Sequence, residues 1–69
     1  MKPFRYYCVA RPPRNDWLPY TIMAEESFEE RRYIPEIDCI AWGWVEYARP
    51  LPMADVANYE LISAPLEVE

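Results

Sequence analysis

Twelve carboxylates, two thiols and no histidine set the reactive repertoire of this 69-residue sequence. Lacking histidine, it excludes the Ser-His-Asp and Cys-His arrangements and the commonest general base near neutral pH. Cys8 and Cys39 alone do not complete a tetrahedral zinc site within one chain; carboxylates or a second copy would have to supply the rest. The single glycine, Gly43, rules out a glycine-rich phosphate loop. Carboxylates do fall in pairs, at Glu25-Glu26, Glu29-Glu30 and Glu36-x-Asp38. Such pairs work as acid, base or metal ligand only where they converge on one point. Neighbouring acids on a short exposed helix do not converge, and no nucleophile stands beside them. The expectation is a protein that is not an enzyme, with no catalytic residue, cofactor or metal.

The other chemistry is recognition by arginine and aromatic side chains. Arg5, Tyr7, Val9 and Arg11 alternate in one segment, and Trp42, Trp44 and Glu46 alternate in another. If both segments are strands, each set lies on one face. The opposite faces carry Phe4, Tyr6, Cys8 and Ala10, and Cys39, Ala41, Gly43, Val45 and Tyr47. The uncharged first set is the better core candidate. Cys8, Ala10, Cys39, Ala41 and Gly43 would then form a shallow floor for a closely packed helix. The arginine and tryptophan face would remain uncovered, and large exposed apolar patches mark interaction sites. With the faces reversed, both tryptophans would instead be core. Arg5, Tyr7, Arg11, Trp42 and Trp44 are the candidate interaction residues, because arginine and aromatic side chains anchor interfaces.

The elements that must position these groups read as follows. Aromatic and β-branched residues from Phe4 to Arg11 make a first strand, ended by Pro12-Pro13. A proline-stiffened loop containing Trp17 leads to a short second strand, Tyr20 to Glu25, expected antiparallel to the first. Ser27-Phe28-Glu29-Glu30 fits a capping box and predicts a helix that Pro35 stops near Ile34. Cys39 to Ala48 is the longest strand, ended by Pro50 and Pro52. A second helix from Pro52 to Asn58 would turn Met53, Val56, Ala57 and Leu61 towards the core. Glu60 to Ser63 allows a short last strand, and residues 65–69 read as a frayed acidic tail. The fold class is α+β: a small, mainly antiparallel sheet of three to four strands with two short helices on one face.

Composition fits one small domain over residues 1–69. At 52% hydrophobic and 16% aromatic, the chain is too apolar for a disordered tail. Its core is small, which favours a stabilising partner. Two cysteines do not make the disulfide framework of a secreted domain. No signal-peptide core leads the sequence, and no run approaches the ~18 apolar residues of a membrane span. The expected setting is cytoplasmic, away from membranes, with both cysteines as buried thiols.

The run Arg32 to Ile37, followed by Ala41 to Tyr47 and by Arg49-Pro50-Leu51, resembles small proteins carried on bacterial mobile elements and phages. Arg5-Tyr6-Tyr7 and Arg11-Pro12-Pro13 are similar in kind. The resemblance covers most of the chain, contains no catalytic motif and implies an accessory, regulatory or host-interaction role without naming a functional residue.

Charge divides the functional readings. Lys2, Arg5, Arg11 and Arg14 fill the first fifteen residues without an acid, whereas all twelve carboxylates and the other three arginines follow. The net charge of −5 makes a poor generic nucleic-acid binder. A basic segment docking on the acidic remainder of a second copy, or on another protein, is the first reading. A single-stranded nucleic-acid binder using the same arginine and aromatic groups is the second. An acidic inhibitor that mimics nucleic acid is the third.

Overall fold

The computed structural model describes residues 3–65. Strands β1 (Phe4–Cys8), β2 (Ala24–Ile34), β3 (Cys39–Tyr47) and β4 (Leu61–Ser63) form one antiparallel sheet in the order β2-β3-β1-β4, and helix α1 (Met53–Asn58) precedes β4. The fold is thus a small four-stranded antiparallel sheet with one short helix. β3 shows the alternation expected of it: Ala41, Gly43, Val45 and Tyr47 are buried, whereas Trp42, Trp44 and Glu46 are half-buried. Among the described residues no helix is long and apolar enough to cross a membrane.

The first helix predicted from sequence is not formed: Ser27 to Ile34 belongs to β2. Glutamate and arginine favour helices only weakly, and that preference yields to a tertiary demand. Without β2, one whole edge of β3 would be left unpaired. Ser27 pairs with Gly43 and Arg32 with Ala41, with a bulge between them, and the Ser27 hydroxyl donates to the Pro13 carbonyl at 3.4 Å. Capping is therefore not its task. The charge run becomes the outer surface of an edge strand, where charge and bulges discourage pairing with other chains.

The second strand also differs in place. It begins at Ala24, not Tyr20, and it pairs with β3 instead of β1. The connection from β1 to β2 crosses one sheet face and covers it. Pro13 and Leu18 are buried there, and Trp17 packs beside them. Beneath lie Tyr6, Cys8, Val45, Tyr47 and Leu61, with Phe4, Val56 and Tyr59 at the margin. The small-residue floor exists in part, but a proline loop occupies it where a helix was expected. A Cβ on Gly43 would clash with the Glu26 carbonyl oxygen and come within 2.8 Å of Pro13 Cδ. Only glycine fits that crossing.

Three finer expectations are corrected. β1 stops at Cys8, so Ala10 and Arg11 are exposed loop residues. Met53 is 88% exposed and Ala57 is exposed, so α1 contacts the core mainly through half-buried Val56. Six residues make under two turns, too few for a full apolar stripe. Cys8 is buried but Cys39 is only half-buried. The acidic tail predicted over residues 65–69 lies, after Pro65, outside the described residues.

Candidate functional site

Strand register builds the second sheet face residue by residue. Glu26 of β2 stands opposite Trp44 of β3, Trp44 opposite Tyr7 of β1, and Tyr7 opposite Ile62 of β4. Residues directly opposite share a face in an antiparallel sheet, so these four form one row across all four strands. The next row is Ala24, Glu46 and Arg5. The Arg5 guanidinium leans back over the indole of Trp44, 4.0 Å from the ring centroid. Its Nη2 lies 2.7 Å from Glu46 Oε2, and its Nε donates to the same oxygen at 2.9 Å. Trp44 Nε1 donates to Glu26 Oε1 at 2.9 Å. The Tyr7 hydroxyl donates to Glu36 Oε2 at 3.1 Å, reaching the turn between β2 and β3.

Arg5, Tyr7, Trp44 and Glu46 therefore each have a partner within the fold. Partial burial alone would lower the affinity of Arg5 for its proton, but hydrogen bonding and attraction from Glu46 outweigh it and raise the pKa. The Tyr7 hydroxyl is also raised, first by burial and then by Glu36, against the opposing pull of Arg5. As the Arg5 side chain is 37% exposed, its ion pair with Glu46 adds no more than about 1 kcal/mol. The network fixes side-chain positions more than it stabilises the fold.

The five residues singled out from sequence fall in three places. Arg5, Tyr7 and Trp44 come together as expected. Tyr7, however, is 4% exposed and lies in a second core cluster with Ile34 and Ala41, flanked by Phe28, Ile37 and Trp44. The face is accordingly not bare: Tyr7 serves as its base, and Arg5 and Trp44 form its surface. Arg11 stacks over Trp17 at 4.4 Å, on the loop that covers the first face. Trp42 lies beneath Arg31 at 5.4 Å. Sequence reasoning missed Glu26 and Glu36 as partners of Trp44 and Tyr7, and Glu46 as the partner of Arg5. Glu46 was legible from its alternation with Trp44, whereas the other two needed β2 to be a strand and its turn to fold back.

Nothing in this arrangement is poised for covalent chemistry. Burial, assisted by Glu25, pushes the Cys8 thiol up to about 12, far from a reactive thiolate. Among the described residues no three histidine, cysteine or acidic side chains are placed to hold a metal ion.

The family model described as defence against restriction A C-terminal covers residues 1–66. The chain belongs to that family, in keeping with the expected link to phages and mobile elements. Neither the curated proteins nor the solved structures gave a match.

Proposed function

We propose that this member of the defence against restriction A C-terminal family is a non-enzymatic docking domain, whose Arg5/Trp44 face meets a protein surface. The observation that carries the reading is the closed set of contacts among Arg5, Trp44, Glu46 and Glu26. Anchors already held in place lose less side-chain freedom on binding, so more of the contact energy is available as affinity. Tryptophan and arginine are the residue types that carry such interfaces. The partner is a second copy of the chain or another protein. The surrounding carboxylates weigh against nucleic acid. Glu46 neutralises the cation beside Trp44, and Glu26 holds the indole N–H, so a phosphate backbone would meet negative charge.

Immobilised wild-type chain and Trp44→Ala, presented to host lysate, test the proposal through quantitative mass spectrometry of what each retains. A protein held by the wild type and lost from Trp44→Ala supports docking through this face. Equal retention by both chains contradicts it. Retention of an oligothymidylate that falls steeply with salt would favour the nucleic-acid reading instead.

One observation favours a second reading. Glu25, Glu26, Glu29 and Glu30 are all exposed along the edge strand β2. A file of carboxylates can compete with DNA phosphates for the basic groove of a DNA-handling protein. Reversing Glu29 and Glu30 to lysine should then abolish any inhibition of restriction cleavage, while Trp44→Ala should leave it unchanged.

A further inference from the structure

A cleft lies beyond the Tyr47 end of β3, apart from the Arg5/Trp44 face. There the chain turns through Ala48 to Pro52 and, with the Tyr20 segment, encloses a cleft of about 450 Å³. Its exposed lining is one aromatic ring, Tyr20, with Pro50 and Pro52, while the buried Tyr47 and Leu51 form the floor. Arg49 is the one charged residue among the described residues that line it. The walls are fixed from behind. The Tyr47 hydroxyl donates to the Pro19 carbonyl at 2.8 Å, and the Leu51 amide donates to the Tyr6 hydroxyl at 2.8 Å.

Tyr20 is the unusual member. Its backbone φ is 59°, left-handed geometry that disfavours a residue with a side chain. Its ring is 64% exposed, yet its hydroxyl is held by Asp55 of α1 at 2.6 Å. A large aromatic ring thus stands in the solvent on a left-handed backbone, with its hydroxyl bonded to the helix. Such strain persists only where the surroundings impose it, and it gathers at ligand-binding places.

We propose that this cleft binds an extended, proline-bearing peptide segment of a partner protein that carries a carboxylate beside its prolines. An exposed tyrosine ring flanked by prolines offers a packing surface for a polyproline II segment, whose conformation is largely set before binding. The volume lies within the range of small-ligand and peptide sites. Charge selects the sequence: a lone guanidinium suits one aspartate or glutamate, with which it forms charge-assisted hydrogen bonds. A polyanion would meet a single cation on a chain of net charge −5. This site is independent of the docking face and stands or falls apart from it.

The test is a nuclear magnetic resonance titration of the whole chain with two synthetic nonapeptides, three Pro-Pro-Glu repeats and three Pro-Pro-Lys repeats. The acidic peptide is expected to give saturable amide shifts at Thr21, Ala48, Arg49 and Leu51, with the basic peptide about tenfold weaker. Arg49→Glu should reverse that order, and Tyr20→Ala should weaken both peptides while the remaining spectrum stays folded. No saturable shift up to about 1 mM peptide overturns the proposal. So do equal responses to the two peptides, shifts confined to the Arg5 and Trp44 amides, or the same shifts with an oligothymidylate.

Discussion

The two faces of this sheet use similar residues to opposite ends. On the first, Tyr6 and Tyr47 meet edge to face at 6.2 Å and lie with Cys8, Val45 and Leu61 under a proline-rich loop. On the second, Tyr7 and Trp44 sit among Arg5, Glu26, Glu36 and Glu46, and the outermost groups reach solvent. Burial without charge in the larger cluster makes the first face the greater source of stability. Paired charge around a half-buried indole makes the second a shaped surface. A 69-residue chain can expose a tryptophan because the β1–β2 connection closes the other side.

The largest effect should come from breaking the covered face at its centre. Val45 is fully buried, so Val45→Asp places an unpartnered charge in the first cluster and should cost several kcal/mol, enough to unfold the chain. Far-ultraviolet circular dichroism at room temperature would record the loss. A native spectrum would mean that the first face is not the core.

Alkaline pH should find the same face. Burial raises Cys8 from 9.0 and Tyr47 from 10.0, each to about 12. Both groups are therefore held protonated in the fold, while the unfolded chain ionises first. Their contribution is fully present below about pH 9 and is lost as pH climbs towards 12. Melting temperature should fall over that window, and Cys8→Ala should flatten the fall. A flat wild-type profile to about pH 11 would contradict the burial of both groups.

On the second face the effects should be smaller. A double-mutant cycle of Arg5→Ala and Trp44→Ala should return a coupling of about 0.5–1 kcal/mol, the range for a partly exposed cation–aromatic pair. Coupling near zero would mean that the stack does not persist in solution. An effect of the same size is expected at the end of α1. Glu60 follows α1 with φ 55°, a position where glycine is the usual residue. Glu60→Gly should raise stability by about 0.5–1 kcal/mol in chemical denaturation.

How much of this was legible follows from where the information resides. β3 could be read to within a residue, because strict alternation and the prolines after it are local signals. β1 was visible in its aromatic density, α1 in Pro52, and β4 as a short run. β2 was not, since Ser27 to Glu30 imitates a helix start and the free edge of β3 that recruits it is not a local property. The site shows the same division. Arg5, Tyr7 and Trp44 share a face by alternation alone. The burial of Tyr7 depends on Phe28 and Ile37, and the grip on Trp44 depends on Glu26, all placed by β2 and its turn.

The separation of roles between the faces is tested most directly by thermal melting of Trp44→Gln. Glutamine is chosen because a further carboxylate between Glu26 and Glu46 would add repulsion of its own. Trp44 is half-buried on the second face, so the variant should remain folded with an unchanged far-ultraviolet spectrum. Its melting temperature should fall by roughly 5–15 °C, the equivalent of about 1–2 kcal/mol in a domain of this size. A chain that no longer folds would place Trp44 in the core and contradict the account.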